Sequence, residues 1–405
     1  MNRKKIYALV FAVTLTAAAA IIFFIFQVKK PVVWTKKNSL RQVSAPKIED
    51  AGQVQSLLRS LDFSLKYLET IPPATPVDFG PGIYTINDVK ESIADFRHNL
   101  KKHGLSPDFF KYIKHNYIFY KSACSDVLFT GYYEARLQGS LTPAGSYRYP
   151  IYRKPTDLYQ IDLSQFPFFQ ELKTQVNDLP GILRARIAEN NMILPYYSRS
   201  EIETAQKLAG EKLEIAWCND PVAVFFLQIQ GSGVIELDTG EILRVNYADS
   251  NGHPYRAIGR LLIDRGILTP DNVSMQTIRE YLKNHPAEMA GIFNYNPSYV
   301  FFRVVEEGPL GFIQVPLTPY RSIALDRELF PGGALCYIET ELPFFDKKGK
   351  LKGWKKFRGF VLNQDTGGAI RNPARVDLFT GRGEESELTA GHLKREGTFY
   401  FLLKK

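Results

Sequence analysis

Residues 357–381 read FRGFVLNQDTGGAIRNPARVDLFTG, and this stretch decides the fold class. A strand-like segment, Phe357–Asn363, enters a glycine-rich turn and is followed by a second short apolar segment, Val376–Phe379. Further short segments bounded by Gly and Pro lie on both sides of it: Tyr299–Val305, Ala334–Leu342 and Thr398–Leu403. Because these segments alternate with turns and not with helices, the C-terminal third is predicted to form a small β-barrel.

In the rest of the chain, the spacing of apolar residues predicts helices as well as strands. Segments with a helical stripe or a helix cap are Leu57–Leu68, Val89–Leu100, the stretch after Ser106-Pro107, the stretch from Ser200 with Glu203 in capping-box spacing, Tyr255–Asp264 and the stretch after Ser274. Strands are predicted at Val127–Tyr133, Tyr147–Tyr152, Pro221–Gln230 and Val234–Leu237. The predicted fold class is therefore mainly β with flanking helices.

Length and composition narrow the class of protein. The 405 residues suggest two or three domains, and 45% hydrophobic with 23% charged residues excludes a disordered, collagen-like or coiled-coil chain. The net charge of +9 fits an acidic partner, for which nucleic acid, anionic lipid headgroups and an acidic cell-wall polymer all qualify. The three cysteines lie far apart, which disfavours a disulfide scaffold and a zinc site and leaves one disulfide with an odd thiol open.

The N-terminal segment indicates a membrane. Residues 6–28 are uncharged and long enough to cross the hydrocarbon core of a bilayer, which predicts an uncleaved anchor. A cleaved signal peptide with its site in Ala17–Ala20 is the alternative, although the apolar run continues beyond that site to Phe26. The polar, basic residues 29–50 are predicted to be a tether.

Four segments concentrate glycine, polar and aromatic residues beyond what core packing requires. They are Thr130-Gly131-Tyr132-Tyr133, Gln230-Gly231-Ser232-Gly233, Asn251–Arg256, and Asp365–Ile370 together with Val376–Gly381. Each of these segments also has an ordinary structural explanation: the glycines could form turns, His253 could be structural, and Asp365 could shape an Asx turn. Asp377 differs because it lies inside an apolar run, where loss of solvation would raise its pKa and keep it protonated, as a general acid requires.

In combination and in order, these segments resemble the membrane-bound lytic murein transglycosylase A family, whose C-terminal part is the three-aspartate (3D) domain. The resemblance runs from about Asp126 to the C-terminus. The matching motifs are Phe129-Thr-Gly-Tyr-Tyr133, Tyr149-Pro-Ile-Tyr152, Gln230-Gly-Ser-Gly233, Asn251-Gly-His-Pro-Tyr-Arg256, Ile263-Asp-Arg-Gly266 and Asn296-Pro-Ser-Tyr-Val-Phe-Phe302. The three aspartates are Asp326, Asp365 and Asp377.

The resemblance implies two domains with a groove between them. One would be a double-psi β-barrel formed by the helical region and first strand at 51–133 together with residues 267–405. The other would be a β-rich insertion at 134–266. The anchor or signal segment at 1–28 and the tether at 29–50 would precede both.

The resemblance also implies an enzyme. The family cleaves the β-1,4 bond between N-acetylmuramic acid and N-acetylglucosamine in peptidoglycan without water and leaves 1,6-anhydromuramoyl ends. Asp377 matches the single catalytic acid, and Asp365 is expected to stabilise positive charge or to orient Asp377. Tyr132 and Tyr133 are expected to stack on sugar faces, and Asp326 to be structural. The residues expected to contact or line the glycan site are Thr130, Gly131, Tyr132, Tyr133, Gln230, Gly231, Ser232, Gly233, Asn251, His253, Tyr255 and Arg256.

The expected partners are the peptidoglycan glycan strand and, through the N-terminal segment, the membrane. No metal, cofactor or nucleic acid is expected. The protein is placed in the cell envelope of a Gram-negative bacterium, on the periplasmic face of the inner membrane if residues 6–28 are retained, although many members of the family are outer-membrane lipoproteins. Two alternatives stay open: a non-catalytic peptidoglycan-binding protein and a hydrolytic muramidase with two carboxylates.

Overall fold

The computed structural model describes residues 33–175 and 181–405 as mainly β elements with helices around them. From Thr35 onwards these residues form one compact unit. The strands are β1 (Leu40–Val43), β2 (Pro76–Asp78), β3 (Ile83–Thr85), β4 (Tyr117–Ser122), β5 (Val127–Ser140), β6 (Tyr149–Tyr152), β7 (Tyr159–Asp162), β8 (Ile182–Ile187), β9 (Ile193–Pro195), β10 (Glu214–Cys218), β11 (Ser232–Leu237), β12 (Ile242–Ser250), β13 (Val300–Val305), β14 (Ser322–Ala324), β15 (Leu335–Phe345), β16 (Leu351–Asp365), β17 (Arg375–Arg382) and β18 (Lys394–Lys404). The helices are α1 (Lys36–Ser39), α2 (Val54–Leu68), α3 (Ile86–His103), α4 (Pro107–Asn116), α5 (Pro167–Gln175), α6 (Arg199–Glu203), α7 (Pro221–Gln230), α8 (Ile258–Asp264), α9 (Met275–Asn284), α10 (Met289–Asn294) and α11 (Glu384–His392).

Six strands close into a ring. β5, β17, β14, β16, β15 and β18 pair in this order, and β18 pairs back to β5. Two pairs in the ring are parallel, β5 with β17 and β14 with β16, and the other four are antiparallel. Closure satisfies the backbone groups that an open sheet would leave unpaired at its edges. The small barrel predicted for the C-terminal third is present, completed by β5 from an earlier part of the sequence.

Strand β5 belongs to the ring and to a second sheet. Residues 128–134 pair with β17, and residues 135–139 pair with β11. From β11 the second sheet continues to β12 and β13, while β10 joins β5 to β6. Since β13 pairs with β12 and not with the ring, the second sheet extends past the predicted domain boundary at Gly266.

The strand predicted over Pro221–Gln230 is wrong, because these residues form helix α7. Asp220 accepts a hydrogen bond from the backbone of Val222, proline occupies the first turn, and Gly231 ends the helix with φ +79°. The helix is buried between the second sheet and α8–α10, so it is apolar on nearly every side. A helix buried on all sides carries no stripe, and its sequence resembles that of a buried strand.

The other predicted helices are confirmed with shifted ends. Ser106 and Ser274 accept the capping hydrogen bonds expected of them. Helix α6 is capped by Ser198 with Glu201 rather than by Ser200, since the working capping box lies two residues earlier. Helix α8 begins at Ile258 and not at Tyr255, because the preceding residues are extended.

The polar segment predicted as a tether up to Asp50 is largely part of the fold. Strand β1 pairs with β4, and Asp50 receives two hydrogen bonds from Arg321, at 2.6 and 3.0 Å. Both of these side chains are buried, and the backbone of Phe360 also donates to Asp50. The basic side chains that suggested a solvated linker, such as Lys36, Arg41 and Lys47, are exposed, while Asp50 at the end of the segment is held in a buried ion pair.

Within residues 33–175 and 181–405, no helix combines the length and the apolar character needed to cross a membrane. The predicted anchor at residues 6–28 lies outside the described residues.

Candidate active site

Asp365 and Asp377 lie in one row across three strands of the ring. Ala324 of β14 pairs with Asp377 of β17 on one side and with Asp365 of β16 on the other. Directly paired residues point to the same face, and neighbouring strands are about 4.8 Å apart, so the two carboxylates flank one small alanine. A register shift after Ile323 brings Asp365, rather than Gln364, opposite Ala324. Irregularities of this kind redirect side chains beside functional sites.

The Asp377 carboxylate is held by a short hydrogen-bond relay. Thr130 of β5 pairs with Asp377 and donates its hydroxyl proton to Oδ1 at 2.8 Å. Arg375 Nη2 donates to the Thr130 oxygen at 3.2 Å, and since a hydroxyl carries one hydrogen, that hydrogen is directed at the carboxylate. Burial raises the pKa of Asp377 to about 6, against the opposing effects of the Thr130 hydrogen bond and the Arg375 charge. This carboxyl therefore changes between acid and base near neutral pH.

Asp365 is bound mainly by backbone groups. Its Oδ1 accepts the N–H of Phe312 at 3.0 Å and that of Thr366 at 2.8 Å. Burial raises the pKa of Asp365 to about 6, and repulsion from Asp377 adds to the rise, while its hydrogen-bonding groups oppose it. The Tyr132 hydroxyl favours the ionised form from close by without closing a hydrogen bond of ordinary geometry. Two carboxyl groups of similar proton affinity thus share one site.

The predicted stacking role of Tyr132 and Tyr133 is wrong, because both side chains are buried. Tyr132 is 8% exposed and packs against Phe379 with 5.3 Å between ring centroids. Tyr133 is 3% exposed and belongs to the core of the second sheet. Consecutive residues of a strand point to opposite faces, so the two rings enter two different cores and neither offers a face to a ligand.

The glycines of the first two predicted segments have structural roles around β5. A side chain on Gly131 would bring its Cβ within 2.9 Å of the Ala390 Cα, so glycine at this position lets α11 lie directly on β5. Gly231 ends α7, and Ser232 and Gly233 open β11, where both are buried.

Gln230 supports β5 from α7. Its Oε1 accepts the backbone N–H of Tyr133 at 3.0 Å, and its Nε2 lies 3.6 Å from the sulfur of Met275. In the described part of the chain, no hydrogen bond links Gln230 or Ser232 to Asp365 or Asp377. The side chain of Gln230 is thus engaged by β5 and by Met275.

Asn251 and His253 are tied to backbone groups. Asn251 is fully buried, donates to the carbonyls of Tyr197 and Pro297 and accepts the N–H of Tyr299 at 2.9 Å. One ring nitrogen of His253 lies 2.7 Å from a backbone carbonyl oxygen. Both residues fix the loop that follows β12: the side-chain oxygen and nitrogen of Asn251 are both partnered, and His253 is held through Nε2.

Tyr247 on β12 and Tyr255 in the loop after it keep partly exposed rings, at 41% and 40%. Loss of solvation raises the pKa of each tyrosine, and the positive charges of Arg327 at Tyr247 and Arg375 at Tyr255 oppose the rise. The guanidinium of Arg256 lies 5.9 Å from the ring centroid of Tyr295.

Asp326, the third aspartate of the motif, has the geometry of a structural residue. Its Oδ1 accepts the N–H of Glu328 at 3.0 Å and its Oδ2 that of Asn372 at 2.8 Å. It is 5% exposed and joins the turn after β14 to the loop before β17.

Sequence reasoning missed Arg375. A signal for it was present, since it lies two residues before Asp377 and a strand places such residues on one face. Among residues 33–175 and 181–405, no group of three or more His, Cys, Asp or Glu side chains is arranged to hold a metal ion.

Two family models match the chain. The MltA specific insert domain matches residues 128–303, and the 3D domain matches residues 321–403. A crystal structure of the membrane-bound lytic murein transglycosylase from Agrobacterium tumefaciens has a TM-score of 0.72 to this structure and 32% sequence identity, over 90% of this chain and 98% of that chain. The chain belongs to the membrane-bound lytic murein transglycosylase A family.

The predicted MltA family is thereby confirmed, and with it the predicted enzyme class at the level of the family. The MltA protein of Escherichia coli K12 is 32% identical over 280 residues, 68% of this chain and 66% of that protein, so the match spans just under two thirds of the relative. A structure of E. coli MltA with bound chitohexaose shares the fold, with a TM-score of 0.65 at 24% identity over 93% of this chain and 97% of that chain.

Proposed function

We propose that this chain cleaves the β-1,4 bond between N-acetylmuramic acid and N-acetylglucosamine in peptidoglycan and closes a 1,6-anhydro ring, with Asp377 as the only acid–base group. The observation that carries this proposal is the environment of Asp377, a buried carboxyl of raised pKa that lies in one row with Asp365 and accepts a directed hydrogen bond from Thr130. The E. coli relative has been solved with bound chitohexaose, which supports a glycan as the ligand.

In the first step, protonated Asp377 gives its proton to the glycosidic oxygen as the bond from that oxygen to C1 of the muramoyl residue breaks. Positive charge develops at C1 and the ring oxygen, as in other glycoside cleavages. The proton leaves with the N-acetylglucosamine hydroxyl, and Asp377 becomes a carboxylate. The Thr130 hydroxyl stabilises that carboxylate as it forms.

In the second step, the 6-hydroxyl of the same muramoyl residue attacks C1, and Asp377 accepts the hydroxyl proton. Atoms balance without water, and Asp377 returns to its acid form. The nucleophile is tethered to the reacting ring, and an intramolecular attack of this kind has a very high effective molarity. A second carboxylate to position a water molecule is therefore unnecessary.

Product mass tests the proposal. Digestion of purified sacculi by the protein should release muropeptides that are one water lighter than the products of a muramidase. Hydrated reducing ends would instead support the hydrolytic alternative with Asp365 as the second carboxylate. Sacculi that are bound but not cut would support the non-catalytic alternative.

Asp365 is proposed to stabilise the positive charge at C1. Asp365→Asn keeps the size of the side chain, removes the charge and is expected to lower kcat by roughly tenfold to a hundredfold with little change in KM. Steady-state kinetics on a soluble glycan substrate provides the measurement. An increase in KM with unchanged kcat would contradict this role and indicate a binding contact.

The Thr130 relay predicts a shift in the pH dependence. Protonated Asp377 is the active acid, so kcat/KM should fall as pH rises through about 6. Thr130→Val removes the hydrogen bond that lowers the pKa of Asp377, and the fall should move to higher pH by about one pH unit. Thr130→Ser keeps the hydroxyl and should leave the profile in place. Identical profiles for the Val and Ser variants would contradict the relay.

We infer a domain division that follows the sheets. The ring, with its two parallel pairs, supports assignment as the double-psi barrel, and the second sheet from the middle of β5 to β13 would be the inserted domain. The groove would lie between them, on the side of the row formed by Asp365 and Asp377. Residues 6–28 are proposed to anchor the protein, with its catalytic part in the periplasm, because they are uncharged and of spanning length.

A further inference from the structure

Strands β15 and β16 project beyond the ring as a two-stranded arm. β15 pairs with β18 only as far as Glu339, and β16 pairs with β14 only from Leu362 onwards. Between these limits, Thr340–Phe345 and Leu351–Phe357 pair with each other alone. Residues 340–357 are called the arm below.

The arm carries an unneutralised positive charge. Its six lysines are all exposed, and within the described residues none of them forms an ion pair: Lys347, Lys348, Lys350, Lys352, Lys355 and Lys356. The two acids of the arm are otherwise engaged, since Glu341 pairs with Arg395 and Asp346 accepts backbone N–H groups of the turn. Glu385 of α11 lines a cavity beside the arm without reaching a lysine.

The arm is held in place by aromatic and apolar contacts. Lys355 Nζ lies 4.7 Å from the ring centroid of Phe344, and the guanidinium of Arg395 lies 3.9 Å from that of Trp354. At the tip, Gly349 is so close to Leu388 of α11 that an added Cβ would be in contact at 3.3 Å. The lysines are therefore presented on a fixed support, and lysines beside partly exposed aromatic rings are typical of a surface that meets lipid headgroups.

The arm points to the end of the sheet at which the chain enters. β15, β18, β4 and β1 form an antiparallel ladder, so the end of β15 and the start of β1 lie at the same end of it.

We propose that the arm binds the anionic headgroups of a lipid bilayer, and so fixes the orientation of the catalytic unit above it. The proposal concerns a surface apart from Asp377 and does not depend on the chemistry of that residue. It favours lipid over the carboxylates of peptidoglycan because aromatic rings flank the lysines.

Lysine reactivity in nanodiscs tests this surface. The full chain is placed in discs of phosphatidylcholine alone and in discs with about one third phosphatidylglycerol, and acylation of each lysine by an N-hydroxysuccinimide ester is followed by mass spectrometry. Each lysine at an anionic surface contributes about fivefold to association. We expect Lys347, Lys348, Lys350 and Lys352 to react at least about fivefold more slowly in the anionic discs, and the exposed helix residues Lys101 and Lys102 to react equally in both.

Matched variants separate charge from shape. The two arm lysines that stay in every variant, Lys355 and Lys356, report on the orientation. Their slower acylation in anionic discs should be lost when the four tip lysines are replaced by glutamine and kept when they are replaced by arginine, and high salt should abolish it. Retention of the full chain by the discs is recorded separately, so that loss from zwitterionic but not anionic discs would refute the anchor and still support the arm.

Three results would overturn the proposal. Equal reactivity of the four lysines in both discs would show that the arm does not meet anionic lipid. Acylation of the four lysines that is slow to the same extent in both discs would show steric shielding without recognition of charge. Protection by soluble muropeptides in zwitterionic discs, with none from anionic lipid, would assign the arm to peptidoglycan carboxylates instead.

Discussion

Asp377→Asn is expected to lower the formation of anhydromuramoyl ends by about a thousandfold or more. Asparagine has the same shape and accepts the Thr130 hydrogen bond, but it can neither give nor take the proton that both steps require. Muropeptides released from sacculi are identified by mass for the wild type and the variant. Asp271→Asn, on an exposed loop before α9, is the control and should retain full activity.

The same variant should gain stability at neutral pH, which separates a catalytic loss from misfolding. The folded protein raises the pKa of Asp377 from an ordinary 3.8 to about 6, so ionising it costs stability as pH rises between these values. The free energy of unfolding of Asp377→Asn should therefore exceed that of the wild type above pH 6, by roughly 3 kcal/mol, and be about equal to it near pH 4. A variant that is inactive and also less stable at both pH values would argue against this assignment.

Arg321→Met is expected to destabilise the protein by about 3–5 kcal/mol. It removes the partner of Asp50 and leaves a carboxylate buried without its cation, where the backbone N–H groups of Gly52 and Phe360 are its remaining donors. Denaturant unfolding monitored by circular dichroism measures the change. The loss should loosen the end of this segment at Asp50, while β1 stays paired with β4.

The surface pair Arg260–Asp264 supplies the matched control. Its side chains are 72% and 48% exposed, and Arg260→Met should change stability by less than about 1 kcal/mol. If both arginine variants unfold at the same denaturant concentration, the buried pair contributes no more than a surface pair and this account of the segment is wrong.

The parts of the fold that the sequence predicted are those in which local pattern and environment agree. Amphipathic helices such as α2 and α9 have one apolar stripe and one solvated face, and their caps are visible as Ser106 and Ser274. Helix α7 was missed because burial on all sides erases the stripe. The segment before Asp50 was missed because Asp50 pairs with Arg321, 271 residues later in the chain, and the sequence gives no sign of that pairing.

For the site, the resemblance identified Asp377 and Asp365, and residue chemistry gave the reason for a raised pKa. What could not be predicted was which neighbours face them. Alternation along β5 sends Tyr132 and Tyr133 to opposite cores. The register shift between β14 and β16 that aligns Asp365 with Ala324 cannot be recognised in the sequence. Arg375 acts through Thr130, a residue 245 positions earlier in the chain.

The continuous strand β5 limits how this protein can be recombined. Thr130 faces the carboxylate in the first half of the strand, and Ala135 begins the pairing with β11 in the second half. One inserted residue between them would turn every following side chain to the other face. The insert therefore cannot be exchanged as an independent cassette: a chimera must be joined at matching phase within β5, and the two halves inherit a common register.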